Sequence, residues 1–230
     1  MLKVLYEDDE IIVVVKPAGV ESQAAKRFAP DMVSEVKKHL VINKSCTPGK
    51  EPYVGVIHRL DKPVSGVMVY AKTKRAAAAL SEQVQSHKMK KIYTAVVHGR
   101  PVNMVDNYVD YLVKTPDGNY SQVVDKGITG AKRAELDYRV VDTAEKEGQE
   151  LSLVEIHLKT GRHHQIRCQL AKMGCPIKGD LKYGSPRSNP DGSICLHARH
   201  VQFVHPVSKE LIELDAPVPA GSLWNGFEMF

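Results

Sequence analysis

The stretch HRLDK, residues 58–62, places four charged or titratable side chains around a single leucine. Asp61 stands between Arg59 and Lys62, and neighbouring positive charge favours the ionised form of a carboxyl group. An ionised carboxylate suits a nucleophile or an electrostatic stabiliser better than a general acid. A plain turn explains the same residues, because Asp-Lys-Pro is favourable turn chemistry. Both interpretations stay open on these residues alone.

A second candidate lies in TGRHHQIRCQLAKMG, residues 160–174, which predicts a helix over 162–173 that Gly174 and Pro176 terminate. Arg162 and His163 would then occupy the first helical turn, where free N–H groups and the positive end of the helix dipole favour a phosphate. His163, Arg167 and Leu170 would lie along one face of this helix. Ordinary surface arginines account for the same pattern.

Tyr93 is the third candidate, within the β-rich segment KKIYTAVVHG at residues 90–99. In a regular strand Lys91 and Ala95 share its face. Aromatic side chains beside cations stack on bases in nucleic-acid sites. Half-buried packing is the alternative role of a strand tyrosine.

Short strands and a few helices must position these residues. VGVI (54–57) and GVMVYA (66–71) read as strands on either side of HRLDK, and Asp31 and Thr73 are expected to cap helices. Residues 150–160 alternate with period two and are apolar on both faces, which predicts a central strand. Because strands outnumber helices without alternating with them, we expect an α+β fold. It would be a single domain over 1–230, built on a mostly antiparallel or mixed central sheet with flanking helices and loops.

Charge is concentrated in one part of the chain. Residues 157–209 contain nine Lys or Arg against two acids, a local net charge of +7 in a protein of net charge +5. Such an excess suits a polyanionic partner, and a solvated basic face is the alternative. No apolar run approaches the ~20 residues that span a bilayer, and the N-terminus lacks a signal-peptide pattern. We therefore expect a cytoplasmic protein.

Several classes of site have no support in the sequence. There is no Walker sequence and no GxGxxG. The histidines have no carboxylate or cysteine at ligand spacing, so we expect no metal. Cys46, Cys168, Cys175 and Cys195 form no CxxC pair, and neither a zinc knuckle nor a disulfide framework is predicted.

These segments, taken in order, resemble one enzyme family. HRLDKPVSG resembles the HRLDxxTSG segment of the RluA-type pseudouridine synthases, and KIYTAVVHG resembles their KxYxAxVxG. TGRHHQIRCQLAKMGCPIKGDLKYG resembles TGRxHQIRxHxxxxGxPIxGDxxYG, and ICLHARHVQFVHP resembles the closing LHAxxLxFxHP. The opening EDDEIIVVVKPAGV also resembles the family's N-terminal strand pair. Together the matches cover nearly the whole chain, from about residue 7 to residue 217, in the family's order.

The resemblance implies isomerisation of uridine to pseudouridine in rRNA or tRNA, with no metal or organic cofactor. It implies that Asp61 is the nucleophile, that Tyr93 stacks on the target base and takes a proton, and that Arg167 pairs with the catalytic carboxylate. Arg59 would enter the space left by the flipped uridine, and Leu196 would form part of the apolar wall of the base pocket. The remaining residues that the resemblance assigns to RNA binding and base flipping are His58, Arg162, His164, Gln165 and His197.

The chain departs from the family pattern at Val15, Val64 and Gln169, none of which is a predicted catalytic residue. We expect a monomer that binds RNA without an obligatory protein partner, and no separate N-terminal RNA-binding domain. A catalytically silent RNA-binding protein of the same fold is the alternative. A metal-dependent hydrolase using the histidine-rich window is a more distant one.

Overall fold

The computed structural model describes residues 2–24, 30–43, 49–117, 119–146, 148–221, 224–225 and 227. Its regular elements are, in chain order, β1 (Lys3–Glu7), β2 (Ile11–Lys16), α1 (Met32–Ile42), β3 (Gly55–Val56), β4 (Ser65–Ala71), α2 (Lys74–Gln85), β5 (Lys90–His98), β6 (Val105–Lys114), β7 (Ser121–Val124), β8 (Lys132–Lys146), β9 (Gln149–Leu158), α3 (Gln165–Lys172), a 3-10 turn (Leu181–Tyr183), β10 (Leu196–Val204) and β11 (Leu211–Asp215). The chain forms two compact units, residues 1–90 with 198–217 and residues 91–197 with 218–230, called unit 1 and unit 2 below.

Unit 1 is an antiparallel arrangement around β2 and β4. β2 pairs with β1 on one side and with β4 on the other, and the short β3 also pairs with β4. Every residue of β4 is buried, as are Ile11 to Val14 of β2. Later in the chain β11 pairs antiparallel with β10. The strands predicted on either side of HRLDK are therefore confirmed as β3 and β4.

The two helices of unit 1 begin where the sequence predicts. The Asp31 carboxylate accepts a hydrogen bond from the Ser34 N–H at 2.8 Å, and the Thr73 hydroxyl oxygen accepts one from the Ala76 N–H at 3.1 Å. Each bond satisfies an N–H that the first helical turn leaves without an intrahelical partner. Both N-cap predictions are confirmed.

Gly66 allows a close backbone approach next to the HRLDK segment. Its φ is +131°, and a Cβ at this position would lie 2.4 Å from both the N and the O of Ala198. Only glycine fits here, because a side chain would collide with backbone that cannot move aside. The strand that follows HRLDK is thereby held against β10.

Unit 2 contains a sheet in the order β5, β9, β8, β6 and β7, with antiparallel pairing throughout. Residues 151–156 of β9 are all buried, and this strand pairs with β5 and β8. The prediction of a central strand is confirmed. β8 is the longest of these strands and continues across a register shift between Val140 and Asp142.

Predominantly antiparallel strands with three α-helices confirm the predicted α+β class. The single domain over 1–230 stays a prediction. Among the described ranges, no helix is long and apolar enough to cross a membrane.

Candidate active site

The HRLDK segment of unit 1 is fixed at its central leucine. Leu60 is buried, and its backbone N–H donates to the Ser22 hydroxyl oxygen at 3.0 Å. The same hydroxyl donates to the Leu60 carbonyl oxygen at 2.7 Å. This reciprocal pair leaves the charged neighbours of Leu60 on a backbone that cannot rotate freely. The single leucine in the motif is its anchor.

Asp61 opens a turn that two other parts of unit 1 support. The Val64 N–H donates to the Asp61 carbonyl oxygen at 3.0 Å, so Lys62 and Pro63 form the corner as the sequence predicts. The Gly19 N–H donates to the Lys62 carbonyl oxygen at 2.8 Å. Asp61 itself is half-buried. The turn interpretation is confirmed, and the nucleophile role of Asp61 stays a prediction.

Lys16 is a residue of this region that the sequence reasoning missed. It is fully buried, and its ammonium donates to the carbonyl oxygens of Pro17, Val20 and Lys62 at 2.9, 2.7 and 3.2 Å. Burial lowers the pKa of Lys16 to about 8, and the negative charge of Asp61 acts in the opposite direction. The feature of the sequence that could have identified Lys16 is its position at the end of a buried apolar strand.

His58 and Arg59 occupy different surroundings. Nε2 of His58 accepts a hydrogen bond from the Val69 N–H at 3.2 Å, which ties the motif to β4 and requires the neutral ring to carry its proton on Nδ1. Arg59 is exposed. An exposed cation next to Asp61 is compatible with the insertion role that the resemblance implies, which stays a prediction.

Tyr93 lies in the buried part of β5 in unit 2. Its side chain is 6% exposed, and its register partner on β9 is Ile156. Lys91 precedes it on the same face and is half-buried. The structure thus places an aromatic ring and a cation side by side along one strand, as predicted.

Arg167 of α3 is paired with Asp180, a residue that the sequence reasoning did not assign. Nε of Arg167 donates to one carboxylate oxygen at 2.7 Å, and Nη2 donates to the other at 2.8 Å. The two side chains are 6% and 1% exposed. The guanidinium also lies over the Tyr183 ring, with 5.1 Å from Cζ to the ring centroid. Asp180 and Tyr183 both belong to GDLKYG, the end of the third family-like segment. Their place in that segment is the feature of the sequence that could have identified them.

Asp180 is itself held by a loop that packs on β5. The Lys178 N–H donates to the Val96 carbonyl oxygen at 2.9 Å, and the Val96 N–H donates to the Cys195 carbonyl oxygen at 3.0 Å. Gly179 has φ +88°, and a Cβ there would lie 2.4 Å from the side-chain nitrogen of Asn189. The strand that carries Tyr93 therefore also braces the loop that orients Arg167.

The predicted start of the third helix is wrong. α3 begins at Gln165, with His164 as its N-cap in the left-handed region at φ 50°, so Arg162 and His163 lie before the helix and not in its first turn. Gln165 causes this, because its side-chain oxygen accepts from the Arg162 N–H at 3.0 Å and from the Thr160 hydroxyl at 2.8 Å. The predicted helix-dipole phosphate site at these two residues is thereby withdrawn.

The helix is also less amphipathic than predicted. Every residue from Gln165 to Leu170 is buried, whereas the sequence suggested one face of His163, Arg167 and Leu170. The rings of His163 and His164 stack at 3.8 Å between centroids, and Nδ1 of His164 lies 3.0 Å from the Tyr183 hydroxyl oxygen. His164 and Gln165 thus order the loop that precedes Arg167.

Leu196 and His197 are buried at the start of β10. They are 3% and 0% exposed. The His197 ring meets Trp224 edge to face, with 6.3 Å between ring centroids. Leu196 is therefore buried within unit 2, and its role in the wall of a base pocket stays a prediction.

Part of the basic segment is already neutralised within unit 2. Lys159 pairs with Asp137 at 2.7 Å and Lys172 pairs with Asp110 at 2.6 Å, in addition to the Arg167 pair. The predicted excess of charge over 157–209 is therefore smaller at the surface than along the sequence. Fewer of its side chains than the nine counted can serve as phosphate contacts.

Two of the departures from the family pattern are packing residues. Val64 is 3% exposed, and Gln169 is fully buried with its side-chain nitrogen 2.9 Å from a carboxylate oxygen of Asp110. Val15 is half-buried on β2. Neither Val64 nor Gln169 faces solvent, so these substitutions act on packing and not on an exposed surface.

Three cysteines lie in the part of the chain that the structure describes. Cys168, Cys175 and Cys195 are buried and form no disulfide there, and burial raises the pKa of Cys168 and Cys195 to about 11. Cys46 lies outside the described residues. Across the ranges that the structure describes, no group of three or more His, Cys, Asp or Glu could hold a metal ion.

The predicted site residues thus form two sets. Unit 1 contains His58, Arg59 and Asp61, and unit 2 contains Tyr93, Arg162, His164, Gln165, Arg167, Leu196 and His197. Within each unit the structure places its own set on ordered, hydrogen-bonded backbone. The pairing of Arg167 with Asp61 stays a prediction.

Comparison with known proteins gives a consistent result. A family model described as RNA pseudouridylate synthase matches residues 10–172. The chain is 33% identical to the uncharacterized RNA pseudouridine synthase YhcT of Bacillus subtilis, covering 95% of this chain and 69% of the relative. It is 31% identical to ribosomal large subunit pseudouridine synthase D of Zymomonas mobilis, with the same two coverages.

Solved structures resemble the fold. The human RNA pseudouridylate synthase domain containing 4 aligns with a TM-score of 0.73 at 24% identity, covering 94% of this chain and 88% of that one. The human RNA pseudouridylate synthase domain containing 1 aligns with a TM-score of 0.69 at 22% identity, covering 94% and 83%. At these identities the likeness concerns the fold.

Proposed function

The chain belongs to the RNA pseudouridylate synthase family, and we propose that it isomerises uridines of large-subunit ribosomal RNA with Asp61 as nucleophile. The activity follows from family membership. The choice of RNA rests on the relatives named ribosomal large subunit pseudouridine synthase D, of which that of Zymomonas mobilis is 31% identical. The role of Asp61 rests on the HRLDK motif and on its anchored turn.

The reaction sets the requirements that these residues meet. The glycosidic bond to the uracil N1 breaks, the ring turns, and a new bond forms from C5 to the same sugar carbon. C5 loses its proton and N1 gains one. A nucleophile must therefore hold one of the two fragments, and a base must accept the C5 proton. Asp61 meets the first need in this proposal, and Tyr93 meets the second.

The target base must leave its stack before any of this happens. Extrusion costs a few kcal/mol and costs least in a loop or at an unpaired base. We assign Arg59 to the emptied position because it is an exposed cation two residues before the nucleophile. Leu196, buried in unit 2, forms an apolar contact for the extruded ring.

The support of the HRLDK turn carries the proposal above all other features. Its backbone is fixed by a leucine anchor, by the Gly19 N–H and by the buried Lys16 ammonium, all within unit 1. Three independent supports on one turn are more than an ordinary surface turn requires. They suit a nucleophile whose position must be closely controlled.

The test is release of tritium from unmodified large-subunit rRNA transcribed with C5-tritiated uridine. Asp61→Asn and Asp61→Ala should release none while binding the transcript nearly as tightly as the wild type. The matched control is Asp9→Asn, an exposed aspartate of the β1–β2 turn in the same unit, which should keep full activity.

Three results would contradict parts of the proposal. Wild-type turnover by Asp61→Ala would remove the nucleophile assignment. Release from tRNA transcripts but not from rRNA would refute the choice of RNA. Tight RNA binding without any release by the wild type would favour the catalytically silent alternative.

A further inference from the structure

Lys91 occupies an unusual place in unit 2. It lies two residues before Tyr93 on the same face of β5 and is half-buried. A methyl group placed on Gly161 would lie 3.7 Å from its ammonium nitrogen. The side chain therefore reaches the loop between β9 and α3, next to Arg162.

The Lys91 ammonium has no counter-charge among the described residues. Within the part of the chain that the structure describes, no side chain or carbonyl oxygen accepts a hydrogen bond from Lys91 and no carboxylate pairs with it. Burial lowers the pKa of this ammonium, and no charge in those same ranges offsets the effect. A partly desolvated cation in such surroundings destabilises the free protein.

Three other lysines of unit 2 make a contrast. Lys159 pairs with Asp137, Lys172 pairs with Asp110, and Lys182 donates to the Asn119 carbonyl oxygen at 3.0 Å. Each of these has a partner within the protein. Compared with them, Lys91 would gain most from an anion brought by a ligand.

The loop beside Lys91 is ordered before any ligand arrives. The Gln165 side chain accepts from Thr160 and Arg162 and donates to the Glu135 carbonyl oxygen at 3.0 Å. Nε of Arg162 donates to the Arg133 carbonyl oxygen at 2.9 Å, which fixes the guanidinium stem. The Lys91 ammonium thus lies beside a preorganised loop, which lowers the entropic cost of binding an anion there.

We propose that the Lys91 ammonium binds a backbone phosphate of the substrate RNA beside the uridine on which Tyr93 acts. The inference rests on the proposed function, since it takes Tyr93 as the residue that contacts the target base. A phosphate is the anion that RNA presents next to every base, and a charge-assisted hydrogen bond to it would satisfy the ammonium.

The experiment compares Lys91→Met with Lys90→Met in binding an unmodified large-subunit rRNA transcript over a series of salt concentrations. Methionine keeps most of the side-chain length and removes the charge, and Lys90 is the exposed neighbour on the opposite face of β5. Lys91→Met should weaken binding about tenfold and reduce the slope of log K against log salt by about 0.7, the value for one phosphate contact in a single strand. Lys90→Met should leave both unchanged.

Two further measurements separate binding from packing. The loss in Lys91→Met should fall on KM and not on kcat, because a phosphate contact is made equally in the ground and transition states. The free Lys91→Met protein should unfold at a higher urea concentration than the wild type, since a partly desolvated cation has been removed. This advantage should shrink as pH rises toward 10.5, the ordinary pKa of lysine, because the folded wild type loses the Lys91 proton at a lower pH than the unfolded chain does.

An unchanged salt slope and affinity in Lys91→Met would overturn the inference, even if the variant is more stable. That result would leave tritium release by the wild type unaffected, so the proposed function would stand. Failure of the Asp61 variants to lose activity would instead refute the nucleophile while leaving the binding result for Lys91 intact.

Discussion

Replacing Asp180 by asparagine should destabilise the protein and impair catalysis together. The substitution keeps the shape of the side chain but removes the negative charge and one of the two acceptor oxygens that hold Arg167. The new amide group would place a donor against the guanidinium, which has no acceptor to offer. One neutral acceptor would then stand where Arg167 now meets the Asp180 carboxylate.

The magnitude follows from burial. The two side chains are 6% and 1% exposed, so water cannot take the place of the missing carboxylate oxygen. Breaking a buried ion pair from one side costs about 3–5 kcal/mol, and we expect Asp180→Asn to reach about 3 kcal/mol. In Asp137→Asn, the matched control in unit 2, the broken Lys159 pair is 49% and 39% exposed. A pair so exposed contributes at most about 1 kcal/mol.

The test measures the free energy of unfolding in urea for Asp180→Asn, for Arg167→Met and for the double variant Arg167→Met/Asp180→Asn. The double variant should be more stable than the sum of the single effects predicts, because the Arg167–Asp180 ion pair can be lost only once. Tritium release should fall in Asp180→Asn while RNA binding changes little. Wild-type stability of Asp180→Asn, or single effects that simply add, would refute the idea that Asp180 holds Arg167 in place.

Two other predictions concern unit 1. Gly66→Ala should lower the free energy of unfolding in urea by about 3 kcal/mol or more, because the new Cβ would lie 2.4 Å from backbone atoms of Ala198. The control Gly19→Ala has φ +85° but open space around the Cβ, so it should lower the free energy of unfolding by about 1–2 kcal/mol. Equal losses in the two variants would contradict the argument from the clash. Burial lowers the pKa of Lys16 from 10.5 to about 8, so the unfolded chain holds this proton more tightly and folded stability should rise between about pH 8 and pH 10.5. The gain relative to Lys16→Met should be up to about 3 kcal/mol, and parallel pH profiles of the two proteins would argue against it.

Much of the fold was readable because its signals are local. The apolar residues on both faces of β9, the Asp31 and Thr73 caps and the turn after Asp61 each depend on residues within a few positions of one another. The order of the four family-like segments identified the reaction. Local chemistry of this kind survives in almost any tertiary context, so the sequence was sufficient for it.

Other features depended on distant parts of the chain. The start of α3 moved to Gln165 because that side chain binds Thr160, Arg162 and the carbonyl of Glu135, a strand residue 30 positions away. The periodicity of residues 162–173 gives no information on a contact with that strand. The prediction of a dipole-bound phosphate failed for this reason.

The order of residues was enough to predict which side chains carry the chemistry, namely Asp61, Tyr93 and Arg167. Folding, in contrast, settled what holds them: Ser22 and Lys16 on the HRLDK turn, and Asp180 on Arg167. It likewise left Lys91 without a counter-charge among the described residues. The sequence determines the type of each residue, whereas packing of distant segments determines its burial and its partners. Burial and partners together determine the free energy that each charged side chain costs the folded protein.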